Sequence, residues 1–138
     1  MALDAVLLRG SLELVSGREA LITTRFYEIL FDRYPQVKPL FTGNSAEQAK
    51  MLQDAIVAVL DHLEEPAWLQ EQLHTLGARH VGYGITAEMY PWVAECLIAT
   101  LAELAGDDWT IEMQGAWEDA LKAISSLMLE AYPKTASV

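Results

Sequence analysis

Apolar residues recur along this chain at steps of three and four rather than two, and that rhythm, interrupted at proline and glycine, predicts an all-α protein. A first helix is expected over about residues 4–15, with Gly17 separating it from a second that carries Leu21, Ile22, Phe26, Ile29 and Leu30 on one face up to Tyr34. Pro35 and Pro39 then force a tight bend or a 3₁₀ turn, because proline lacks the amide hydrogen that a continuing helix needs. Ser45, with Gln48 three residues on, has capping-box spacing and opens a helix lasting to about Leu63. Pro66 opens another, closed by Gly82 and Gly84; Thr86 is expected to cap the next, and Gly106 stands just past its end. Thr110 starts the last helix, which runs through Trp117, Leu121, Ile124 and Met128 until Pro133 stops it. Six or seven helices of unequal length on short loops do not match the equal rods of an up-down four-helix bundle, so an irregular α-fold is expected.

Composition narrows the classes of function. A chain of 138 residues, 52% of them apolar, is long enough for one sizeable core and is read as one domain over residues 1–138. With 20 acidic against 9 basic side chains, a net charge of −11, it has no basic stripe for a phosphate backbone, so neither nucleic acid nor an anionic membrane surface is an expected partner. The apolar stretch at residues 92–104 is interrupted by Glu95 and Glu103 and falls short of the roughly 20 residues of a bilayer span. No basic segment followed by an apolar run opens the sequence, so a cytoplasmic location is expected. Cys96, the sole cysteine, rules out an intramolecular disulfide or a thiolate zinc cluster and reads as a buried structural thiol in an apolar helix, with a redox or intermolecular role as the alternative. For Trp68, Trp92 and Trp109, an exposed contact patch and burial beside a neighbouring helix both fit.

The three histidines sort by helix face. His80 follows Leu69, Leu73 and Leu76 at steps of four, three and four, so it continues an inward stripe. His74 is one residue off that stripe and should be solvated, while His62 closes its helix beside Asp61 and Glu64, where a cation suits the dipole. A lone inward histidine is ordinarily a core side chain bonded to backbone. It is also the usual axial ligand of haem iron, and glycines two and four residues downstream let the chain turn along the edge of a flat cofactor. No second histidine or cysteine stands at zinc-site spacing, which leaves a single-ligand cofactor as the metal site this sequence could build. A second stripe, Leu52, Ile56, Val59 and Leu63, begins with the polar Gln48, which reads equally as the end of a capping box; Tyr27, among Phe26, Ile29 and Leu30, reads equally as packing.

Four blocks in a fixed order carry a family resemblance: RFYEILFDRYPQVKPLF at residues 25–41, the Gln48–Leu52 pair, LGARHVGYGITAEMYPWVAECLIATL at residues 76–101, and AWEDAL at residues 116–121. Together they resemble the globin family, and within it the globin domain of flavohaemoglobins and their single-domain bacterial relatives, over about residues 3–132. The resemblance implies a globin fold, an irregular sandwich of six to eight helices around haem b. It makes His80 the proximal iron ligand, Phe41 the aromatic that stacks on the haem, Tyr27 and Gln48 the groups facing the bound gas, and Leu52 the neighbour that narrows the gas pocket. Tyr90 matches a proximal tyrosine near the ligand; Arg79 and Tyr83 flank His80 and are candidates for holding a propionate; Leu76, Ile85, Val93 and Trp117 would line the cavity.

Implied ligands are dioxygen, nitric oxide and carbon monoxide, with a phenol O–H and an amide N–H stabilising the bound gas in a dry pocket. Flavohaemoglobins also pair the proximal tyrosine with a glutamate of the last helix, which raises the histidine's basicity. Counted without a gap from Trp117, this sequence has Tyr132 there, and Glu130 is two residues, about 200° of helix rotation, away. No flavin- or nicotinamide-binding segment follows Val138, so nitric oxide dioxygenation would draw electrons from a separate reductase. The alternatives are a haem-based gas or redox sensor domain and a haem-free helical interaction module.

Overall fold

A computed structural model describes residues 4–15, 17–41 and 45–132. The elements run α1 (Ala5–Leu14), α2 (Glu19–Arg33), a 3₁₀ segment (Pro35–Leu40), α3 (Ser45–Asp61), α4 (Pro66–Gly82), α5 (Met89–Ala105), a short 3₁₀ turn (Gly106–Asp108) and α6 (Ile111–Leu129). Among the described residues there is no strand, as the three-and-four rhythm predicts. No helix among them is long and apolar enough to cross a membrane.

Local chemistry sets most of the boundaries. The Asp4 carboxylate accepts the Leu7 amide at 3.0 Å, and the Thr110 hydroxyl accepts the Met113 amide at 3.1 Å, so each satisfies an orphan donor of a first turn. Helix α3 does begin at Ser45, but the side chain of Ser45, and with it the expected capping box, lies outside the described residues, as does Pro133. Thr86 is not the cap of α5. That helix begins at Met89, with Glu88 before it, and Thr86 offers only its backbone carbonyl to the Met89 amide. The reason is Pro91: a helix capped at Thr86 would need an amide hydrogen at residue 91, whereas a start at Met89 leaves the proline in the first turn, where no donor is required.

Two apolar clusters build the core. Leu8, Phe26, Leu30, Leu97, Leu101 and Trp117 join α1, α2, α5 and α6; Leu69, Leu73, Tyr90 and Met128 join α4, α5 and α6. Helix α4 approaches α6 so closely that a Cβ at Gly77 would collide with the Met128 backbone, which makes this glycine the contact point of the two helices. The Trp117 indole N–H, buried at the centre, donates to the Ser11 hydroxyl at 2.7 Å, which itself donates to the Leu8 carbonyl at 2.8 Å. Cys96 is fully buried, and burial pushes its thiol up to about 11, in keeping with a structural role. Each of the three tryptophans weighed for a contact patch is partly buried against its own chain. Trp68 stacks on His62, Trp92 stacks on Tyr34, and the Trp109 indole donates to Gln114.

Candidate functional site

Between the two clusters the helices leave an apolar cleft with about 970 Å³ of free space, its open mouth included. Helix α3 supplies Leu52, Ile56 and Val59 as one wall, since residues at these spacings share a helix face, and Leu63 in the turn beyond its end extends it. Helix α4 forms the facing wall, with Leu73 buried and Leu76 and His80 half-buried, while Leu69 packs in the core outside the lining. Tyr90 and Val93 of α5 and Trp117 of α6 close the back, and Ile85 stands at the edge.

His80 is the histidine of this cleft. Its Nδ1 lies 2.9 Å from the Leu76 carbonyl, one helical turn earlier, and a carbonyl can only accept. Nδ1 therefore carries the proton. Burial pushes the ring's pKa below the ordinary histidine value, and the Leu76 bond, which acts the other way, is the smaller effect. The ring is thus neutral, with its lone pair on Nε2 and its tautomer fixed, the state in which an imidazole binds a metal. His74 is exposed, and His62 bonds Glu65 at 2.7 Å while stacking on Trp68. The neighbours expected for His62 differ, because Glu64 is held by Arg9 at 3.0 Å. Among the described residues, no group of three or more His, Cys, Asp or Glu side chains is placed to hold a bare metal ion. The site therefore offers one metal-binding nitrogen on an otherwise greasy surface.

The hydroxyls of Tyr90 and Tyr132 lie 3.0 Å apart, and Tyr132 donates to the Ile85 carbonyl at 2.7 Å. With its one proton committed to Ile85, Tyr132 accepts from Tyr90. Burial first, then this bond, raises the Tyr90 phenol well above the usual range, so it stays protonated. The Tyr90 ring centroid is 6.2 Å from that of His80. Tyr132, not Glu130, meets Tyr90, and Glu130 is exposed.

Of the residues singled out from sequence, the cleft gathers Leu52, Leu76, His80, Ile85, Tyr90, Val93 and Trp117. Tyr27, Phe41, Gln48, Arg79 and Tyr83 stand outside its lining. Tyr27 packs in an aromatic cluster over the 3₁₀ bend, its ring centroid 5.5 Å from that of Phe41 and 5.8 Å from that of Phe31; burial raises its phenol pKa. Gln48 is half-buried one turn before Leu52, on the same face of α3. Arg79 and Tyr83 are exposed on either side of His80, with the Tyr83 ring 6.1 Å from the imidazole. Leu121 and Ile124 of α6 also line the cleft; their stripe reads as core in the sequence, but nothing local assigns it to this wall. A wider groove outside α5 and α6 is rimmed by Glu95, Glu118 and Lys122, a charged border that suits an apolar cofactor less well.

Comparison with known proteins bears on the family and the fold. A globin family model matches residues 24–128. An uncharacterized globin-like protein of Aquifex aeolicus is 32% identical over 122 residues, which make up 88% of this chain and 86% of that protein. A flavohemoprotein of Rhodopirellula baltica is 34% identical over 119 residues, 84% of this chain but 29% of the flavohemoprotein, so the chain spans under a third of that relative's length. Among solved structures, a bacterial globin from Campylobacter jejuni matches with a TM-score of 0.78 and 26% identity over 92% of each chain. An engineered carbene transferase, a candidate nitric oxide dioxygenase from Rhodothermus marinus, matches with a TM-score of 0.79 and 28% identity over 90% of this chain and 87% of its own.

Proposed function

The chain belongs to the globin family and has the globin fold, and on that premise we propose that it holds haem b in the α3–α4 cleft, with His80 as axial ligand, and binds dioxygen, nitric oxide and carbon monoxide there. The observation that carries this reading is the fixed tautomer of His80, with Nδ1 tied to the Leu76 carbonyl in an apolar cleft and Nε2 left to bind. One imidazole nitrogen among aliphatic side chains fits a flat, largely apolar group that needs a single protein ligand. It does not fit a bare ion.

When bound, the haem supplies reversible binding of diatomic gases and one-electron redox chemistry. The chain's own residues do the rest. His80 Nε2 would hold the iron, and the Leu76 carbonyl orients the ring. Leu52, Ile56 and Val93 keep water from the cleft, which strengthens any hydrogen bond made inside it. Tyr27 and Gln48 are assigned to the gas side as donors, with Phe41 packing Tyr27 in place; what supports this is the shared face of Gln48 and Leu52 and the half-buried, protonated phenol of Tyr27. Arg79 and Tyr83, exposed beside His80, are assigned to a haem carboxylate at the mouth.

Nitric oxide dioxygenation, with electrons from a separate reductase and in the cytoplasm, is the activity assigned to this site. It is supported by the similarity to flavohemoproteins and to the Rhodothermus marinus protein.

The test is reconstitution of the purified chain with haem. A Soret band that shifts on adding carbon monoxide is expected, together with loss of the iron–histidine signature in His80→Ala. Absence of a Soret complex, or a His80→Ala spectrum identical to the native one, overturns the reading.

A further inference from the structure

We propose that Tyr132 is a positioning residue for His80, tying the loop that follows the ligand to the start of α5 and setting the direction of the Tyr90 proton. The inference rests on the assignment of His80 as the haem ligand. It begins with the loop itself, residues 83–88, which joins α4 to α5 and includes Gly84 at a φ of +82°, a left-handed conformation that a side chain would resist. Two loop amides, those of Tyr83 and Ile85, donate to the His80 carbonyl, each at 3.1 Å, and Ile85 is the farther along the loop.

Tyr132 supplies an anchor from outside. The turn after α6 holds its backbone, because the Ala131 amide donates to the Met128 carbonyl at 3.1 Å and the Tyr132 amide to the Leu129 carbonyl at 3.0 Å. From there its hydroxyl reaches the Ile85 carbonyl at 2.7 Å and the Tyr90 hydroxyl at 3.0 Å, and its ring meets that of Tyr90 edge-on, with centroids 5.8 Å apart at 79°. Ile85 is thus held on both sides, by His80 through its amide and by Tyr132 through its carbonyl.

The second consequence concerns protons. Because Tyr132 gives its proton to Ile85, Tyr90 must give its own to Tyr132 and presents no O–H to the imidazole 6.2 Å away. The Nδ1 proton of His80 is left with the uncharged Leu76 carbonyl as its acceptor. An uncharged acceptor pulls on that proton less than a carboxylate does, so His80 binds as a neutral imidazole without the added electron density that a carboxylate partner would give it.

Tyr132→Phe removes the hydroxyl and keeps the ring. In the haem-loaded protein, the Soret band is expected to survive, the iron–histidine stretching band in the resonance Raman spectrum of the ferrous form to shift or broaden, and the Ile85 amide to exchange with solvent about two- to tenfold faster, the loss expected for one hydrogen bond. A variant with an intact Soret band, an unmoved iron–histidine band and native Ile85 exchange overturns the proposal. If the native chain itself forms no Soret complex, the haem reading fails instead, and Ile85 exchange in the unloaded chain still decides whether Tyr132 ties the loop.

Discussion

His80 and Leu76 form a closed unit within the last turn of α4: the imidazole Nδ1 donates 2.9 Å to the carbonyl four residues earlier, and burial holds the ring neutral. Folding therefore disfavours protonation of this residue, and the sign of the pH dependence follows. The folded pKa is below the ordinary histidine value of 6.5, so the unfolded chain binds the proton first as pH falls. Stability is full above pH 6.5 and declines through the window between 6.5 and the lowered value, by at most about 1.4 kcal/mol per pH unit for one proton. Urea denaturation of the haem-free chain at pH 7.5 and pH 5.5 should show this loss, and His80→Leu should lose less over the same interval. Equal losses in both proteins would show that His80 is not the group responsible.

Gly77→Ala sets two effects of opposite sign against each other. Alanine favours a helix interior by about 1 kcal/mol over glycine. The new Cβ, however, would collide with the Met128 backbone, which has no rotamer with which to retreat. Overpacking of this kind typically costs about 1–3 kcal/mol, so net destabilisation is expected. Because α4 carries His80, the displaced helix should also weaken haem retention, measurable as faster transfer of haem to an acceptor protein. A higher urea midpoint than the native chain's would mean that α4 and α6 do not touch at residue 77.

The assignment of Tyr27 and Gln48 to the gas side leads to a kinetic expectation. A hydrogen bond to a partly charged acceptor contributes about 1.5–3 kcal/mol, so Tyr27→Phe and Gln48→Leu should each speed dioxygen release roughly ten- to a hundredfold. Carbon monoxide release, from a less polar complex, should change much less. Burial raises the Tyr27 phenol above its usual range, so the donor stays protonated and the native release rate should be flat from pH 6 to pH 9. Stopped-flow displacement by carbon monoxide measures both. Unchanged dioxygen release in both variants would leave Tyr27 in the aromatic cluster with Phe31 and Phe41 as a packing residue.

These cases mark how far the sequence could be read. The inward position of His80 was legible because Leu69, Leu73, Leu76 and His80 lie on one helix, where spacing alone fixes the face. The same logic placed Leu52 on a cleft wall. Pro91 was legible in principle as the signal for the start of α5, yet the hydroxyl of Thr86 is the stronger local pattern and points two residues too early. Contacts between distant segments leave no periodic trace. Nothing around Gly77 announces Met128, and nothing around Tyr132 announces Ile85, 47 residues away. The departure from a carboxylate could be counted out from Trp117, but what Tyr132 does there depends on where α6 ends against the α4–α5 loop.

Ser11 and Trp117, 106 residues apart, make a further pairing that only the fold could bring about, and it bears on the back wall of the cleft. Ser11→Ala would strand a buried indole N–H, which costs about 1–3 kcal/mol. Trp117→Phe removes that donor and loses indole volume, yet strands nothing, because the Ser11 hydroxyl still donates to the Leu8 carbonyl. In the Trp117→Phe background there is no indole N–H to orphan, so adding Ser11→Ala should cost appreciably less than it does alone. A double-mutant cycle on urea denaturation measures the difference, expected at about 1–2 kcal/mol. Strict additivity of the two substitutions would show that the indole finds another partner once Ser11 is gone, and that the 2.7 Å bond does not anchor this wall.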